Sequence, residues 1–239
     1  GESRMIQRRR LLAAGLLAPA AYAVGSVVPA WAQNAPNLGT PTLPAPGFRR
    51  MKLGDVDVVS LIDGVARRPL GEEFVKNAPI ADVRALLASQ GLPTEFIDIP
   101  FTPFLVVAGA RRILMDTGLG DWGGATTGKL LENLRAAGVA PTDIDTVLIT
   151  HYHGDHINGL RYKNGALVYP NARVHVPTVE HAFWTDEARI AAAPPAMQGA
   201  FAAVRRALGN LSGDQLVKFE PGADLAPGLT SIAAFGHTP

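Results

Sequence analysis

Three observations predict a layered α/β fold. β-Branched apolar runs come first and read as strands in hairpins. Segments with helical spacing then alternate with short apolar strands, the pattern of a sheet with helices packed on it. The 239 residues are 47% hydrophobic and 18% charged, which suits a domain with a large core and excludes intrinsic disorder.

The elements follow in order. Residues 33–47 are rich in Pro, Asn and Gly without apolar periodicity and read as a linker or arm; the folded body (48–239) starts at Phe48. Residues 55–62 and 101–108 are suited to strands, and 111–115 follows across a Gly109-Ala110 hairpin turn. Residues 80–90 and 127–137 have helical spacing, closed by Gly91 and Gly138. Short strands are predicted at 146–150 and 173–176, a helix at 196–208 and a last strand at 229–235.

Residues 1–32 read as an export signal starting at Met5. Arg8, Arg9 and Arg10 form a cationic region, residues 11–18 an apolar run, and Ala30-Trp31-Ala32 a cleavage site. The run is interrupted by Pro19 and is too short for a membrane span. Arg8-Arg9-Arg10-Leu11-Leu12 resembles a twin-arginine signal, so a bacterial periplasmic or secreted location is expected by that or the general route. The whole chain carries a net charge of +1; without residues 1–32 it carries −2, so the basicity belongs to the signal. No electrostatic footprint for nucleic acid remains. With no cysteine, thiolate metal sites and cysteine nucleophiles are excluded, and any metal must be held by His and carboxylate.

The chemistry is concentrated in His151-Tyr152-His153-Gly154-Asp155-His156. Three of the six histidines of the chain fall in this hexapeptide, directly after the apolar strand Val147-Leu148-Ile149-Thr150. At the end of a strand, residues i and i+2 project to the same side, so His151 and His153 can grip one ion. Gly154 is expected to permit a tight turn that swings Asp155 and His156 toward a second position. Imidazole and carboxylate suit zinc, with iron or manganese as alternatives. His175, alternating within a strand, and His181, at a polar helix start, read as structural or solvated. His237 follows an apolar strand on a turn that Gly236 allows.

The hexapeptide resembles the H-x-H-x-D-H motif of metallo-β-lactamase-fold hydrolases. Leu114-Met115-Asp116-Thr117-Gly118 is similar to the D-T-G strand end of that family, and Gly236-His237-Thr238-Pro239 to the start of its G-H-T-P-G-H segment. The resemblance implies an αββα sandwich with a binuclear site at the sheet edge. The metal ligands would be His151, His153, Asp155, His156 and His237, with Asp116 behind them fixing the loop. Residues 133–138, 169–172, 182–184 and 226–229 resemble the branch containing methyl parathion hydrolases and N-acyl homoserine lactonases. That branch implies hydrolysis of an ester, lactone or phosphotriester by a hydroxide bridging two divalent ions, with Asp155 also catalytic in passing a proton to the leaving group. Trp122, Phe183 and Trp184 are then candidates for an aromatic pocket wall. A β-lactam hydrolase of the same fold and a non-catalytic or redox relative are the alternatives.

The expected partners are a small-molecule substrate and the export machinery, with a homodimer allowed and no nucleic acid. The resemblance further implies that a bridging Asp and one more His follow Pro239. The 239 residues are therefore expected to be a truncated piece, with an incomplete second half of the sandwich and poor activity alone.

Overall fold

The structure is a computed structural model that describes residues 37–211 and 213–238. The export signal at 1–32 and the first residues of the arm lie outside the described residues. Among the described residues no helix is long and apolar enough to cross a membrane. One compact unit spans Leu38–Pro239.

β1 (Phe48–Leu53) and β2 (Val56–Leu61) form a tight antiparallel hairpin whose turn residue Gly54 has φ 59°. β3 (Gly64–Pro69) leaves this sheet and pairs with β4 (Phe96–Phe101) as a separate two-stranded ribbon, joined through α1 (Ile80–Ser89). β5 (Phe104–Ala108) returns beside β2, and β6 (Arg111–Met115) follows in a hairpin across Gly109-Ala110. From there the pairing becomes parallel. After α2 (Leu130–Ala136), β7 (Thr146–Leu148) lies beside β6. α3 (Gly154–Ile157) precedes β8 (Arg173–Pro177). Then α4 (Thr178–Trp184), α5 (Glu187–Ala192) and α6 (Pro195–Leu208) lead to β9 (Leu216–Phe219). The seven-stranded sheet has the order β1-β2-β5-β6-β7-β8-β9. β10 (Asp224–Ala226) and β11 (Leu229–Thr230) form a short hairpin of their own.

Alternation along the strands divides the core between the two sheet faces. Leu105, Leu114 and Val147 face the main core with Leu130, Leu134, Val204 and Leu208. Their chain neighbours Val106, Ile113 and Leu148 face the other way, where Leu225 and Leu229 of the β10–β11 hairpin pack on them. The layered mixed α/β architecture is thus the one the sequence predicts.

Four element boundaries differ from expectation. The strand predicted over 101–108 is two strands, because Pro103 has no N–H for a ladder. The carbonyls of Phe101 and Pro103 instead accept from Asp63 and Leu61 N–H, both at 2.8 Å. The helix predicted from 127 begins at Leu130, after Gly128 with φ 77°. β7 stops at Leu148, since Thr150 N–H donates to the Asp116 carboxylate, 2.8 Å away. The strand predicted over 229–235 ends at Thr230. No strand pairs with 232–235 among the described residues, and Ile232 is 85% exposed.

Asp63 joins several of these pieces. Its side chain is fully buried and accepts from Leu119 N–H (2.9 Å) and Leu130 N–H (3.1 Å), so it caps α2 from a distant strand end. Burial pushes its carboxyl pKa up, and these backbone donors oppose that rise. Replacing Asp63 by Ala leaves buried N–H groups without acceptors and is expected to destabilise the fold by about 2–3 kcal/mol in urea denaturation. Asp98→Ala, which removes a surface pair with Arg67, is expected to have a much smaller effect.

Candidate metal centre

Three adjacent parallel strands deliver their carboxyl ends to one edge of the sheet, the place where α/β sheets bind ligands. β6 ends at Asp116, β7 runs into the His151–His156 loop, and β8 runs into α4. Asp116 has φ 62°, a left-handed backbone uncommon outside glycine. In that conformation its N–H donates to Leu148 O (2.8 Å), and its carboxylate reaches across to the loop after β7. One oxygen accepts from Thr150 N–H at 2.8 Å; the other accepts from Thr150 Oγ1 at 2.9 Å and lies 2.8 Å from His156 Nδ1.

This network sets the tautomer of His151. Thr150 has one hydroxyl proton and Asp116 takes it, so Thr150 Oγ1 accepts from His151 Nδ1–H, 3.0 Å away. The lone pair of His151 is then on Nε2, which is buried and has no hydrogen-bond partner. Burial and the neighbouring His156 and His153 push the His151 pKa down to about 4, so the ring is neutral at physiological pH.

His153 precedes α3, and its carbonyl accepts from His156 and Ile157 N–H. Its Nδ1 lies 3.0 Å from His237 Nε2. The rings of His151, His153 and His237 are mutually 4.7–4.9 Å apart, and one nitrogen from each falls within 4.8 Å of the other two. His237 stands on a turn where Gly236 has φ 124°. These three histidines thus form a set of convergent nitrogens, and the orphaned, buried Nε2 of His151 fits a metal held among them.

Gly154 has a different role from the one expected. It lies in the helical turn α3 without positive φ, and a Cβ there would sit 2.8 Å from Asn158 Nδ2, the end of a side chain able to shift. The turn carries Asp155 and His156 to the side of the cluster, where His156 Nε2 lies 3.3 Å from Asp155 Oδ2. Burial alone would lower the pKa of His156, but the flanking Asp116 and Asp155 carboxylates raise it to about 9. Burial works against ionised Asp155, and the hydrogen bond and charge of His156, with a backbone N–H and His151, together hold the carboxyl below the ordinary range. Asp155 and His156 are thus paired with each other.

The aromatic candidates lie elsewhere. Trp184 is 4% exposed, packed on Phe201 (4.8 Å) and Phe183 (5.3 Å), and backs the His153 ring at 6.3 Å. Trp122 is partly exposed under the Arg206 guanidinium, 3.9 Å away. None of the three lines the cavity of about 510 Å³ beside the cluster, whose walls are apolar residues such as Met115, Leu148, Leu225 and Phe235. His175 and His181 stand apart from the cluster, and His181 Nδ1 meets the Tyr152 hydroxyl at 3.0 Å.

Thr150 and Glu180 carry no local sequence signal. Glu180 in α4 is 2% exposed and accepts from Thr238 Oγ1. Burial pushes its pKa up to about 7, with the Trp184 indole, the Tyr152 N–H and His156 opposing the rise.

The sequence pattern described as "Metallo-beta-lactamase superfamily" matches residues 102–239. N-acyl homoserine lactonase AiiB of Agrobacterium fabrum is 32% identical over 87 residues, 29% of this chain and 32% of the relative. Two solved structures are similar at 28% identity. One is AidC, described as a dizinc quorum-quenching lactonase in complex with a product (TM-score 0.70, 76% of this chain and 64% of that one). The other is the hydrolase AbOPH of the beta lactamase superfamily (TM-score 0.67, 78% and 64%). The chain thus spans about a third of the curated relative and just under two thirds of either solved chain. With the match running from the loop before β5 through all three histidines, the chain belongs to the metallo-beta-lactamase superfamily.

Proposed function

We propose that this protein is a metal-dependent hydrolase that opens a lactone, ester or phosphotriester, with an N-acyl lactone as the first substrate to test. The observation that carries the reading is the buried, partnerless His151 Nε2 facing His153 and His237. The lactonase relatives and the apolar cavity beside the cluster, large enough for a small acyl chain, favour a lactone.

In this reading His151, His153 and His237 hold one divalent ion, and Asp155 and His156 contribute to a second. Zinc is the first candidate, and the donor set also suits iron or manganese. A bound ion supplies Lewis acidity and water activation at neutral pH. The protein's own contribution is orientation. Asp116 and Thr150 fix the His151 tautomer, Asp116 aims His156, and Trp184 walls the His153 ring from behind. Asp155 would ligate, and would take the proton released by the attacking water and pass it to the departing oxygen. Export by way of the Arg8-Arg9-Arg10 segment completes the proposal.

Three outcomes are expected. His151→Ala or His153→Ala should lower lactone hydrolysis by orders of magnitude and reduce bound metal, measured together by turnover and elemental analysis; His175→Ala should do far less. Full turnover of a metal-verified His153→Ala protein would refute the assignment. Asp116→Asn keeps the shape but not the charge and should cost about 10–100-fold in activity or metal affinity. Mass spectrometry of a periplasmic fraction should find a mature chain beginning near Gln33, and intact residues 8–20 there would refute export by cleavage.

A further inference from the structure

We propose that Glu180 is a positioning residue that joins the two separate parts of the three-histidine cluster, holding the His237 turn against the His151–His153 loop. The inference rests on the metal reading above. Its observations lie outside the ligand set, in a buried carboxyl of α4.

His151 and His153 belong to one loop, fixed by β7 and α3. His237 arrives from a separate segment. Among the described residues, 232–238 form no strand or helix, and two hydrogen bonds tie them to the rest of the unit. One runs between the His153 and His237 rings, and the other from Thr238 Oγ1 to Glu180 Oε1. A ring-to-ring contact cannot hold the pair once both nitrogens turn to a metal. The Glu180–Thr238 bond survives that change.

Glu180 is also linked to the other part. Its helix α4 is held to the loop on either side of it: the Tyr152 hydroxyl, between His151 and His153, meets His181 Nδ1 at 3.0 Å, and the Trp184 ring backs His153 at 6.3 Å. The helix that carries this carboxyl thus touches the histidine loop, and the carboxyl itself touches the residue after His237. A carboxyl this buried is expensive unless its hydrogen bonds matter, and its Oε2 still lacks a full partner. Nothing in the packing of α4 requires an acid at this position. An apolar side chain would fill the volume and release the turn.

The test uses Co2+ as the probe in the full-length protein, reading affinity by titration and the ligand field from visible absorption. Thr238→Val keeps shape and removes the hydroxyl; Glu180→Leu removes the acceptor; Glu180→Gln retains one. Thr238→Val and Glu180→Leu are each expected to weaken Co2+ binding about 10-fold or more and to alter the absorption bands. The double variant should be no worse than the worse single one, because both remove the same contact. Glu180→Gln should recover most of the affinity. If Thr238→Val binds Co2+ with unaltered affinity and spectrum, or Glu180→Leu loses only thermal stability, the inference fails while the metal reading stands. If the unaltered chain takes up no Co2+, the metal reading fails and this inference with it.

Discussion

The Asp116 carboxylate is the constraint on which the site depends. It sits where β6 ends, in a left-handed conformation that costs an ordinary residue on the order of 1 kcal/mol. In return it accepts from the backbone and hydroxyl of Thr150 and orients His156, so the end of one strand dictates the exit path of the next. If Asp116 adopted a right-handed turn, its carboxylate would leave the β7 exit. Thr150 would then be free to rotate, and His151 could present either nitrogen. The change from antiparallel to parallel pairing at β6–β7 gives this contact its geometry. Parallel neighbours end on the same side, which brings Asp116, the histidine loop and α4 together.

Electrostatics divide the imidazoles into two kinds. His151, buried among other imidazoles, is held neutral with a lone pair available. His156, between two carboxylates, is held protonated. The same loop therefore carries one imidazole kept neutral by burial and another kept charged by its acidic neighbours.

The parts of this arrangement legible in the sequence are those whose cause is local. A β-branched run, a glycine after a helix and an H-x-H at a strand end each depend on residues a few positions apart. The misjudged parts have distant causes. The start of α2 is set by Asp63, 67 residues earlier in the chain, and the end of the last predicted strand by the lack of a neighbouring strand among the described residues. Gly154 takes part in the turn without the positive φ that the sequence pattern suggests, because the chain there closes into the helical turn α3. Trp184 and Phe183 are ambiguous by nature, since large aromatics serve core and pocket alike, and only packing on Phe201 distinguishes them. Glu180 was invisible, because a single acid at a helix start has no pattern.

His153 and His237 meet across 84 positions of chain. Closing a loop of that length costs about 4 kcal/mol of chain entropy. A cation held by both residues would act as a clasp on the polypeptide, tying the last turn to the middle of the sheet. Whatever binds only the closed arrangement draws the open one toward it by mass action. The concentration of free metal around the newly made chain would then help decide how much of it reaches the folded state.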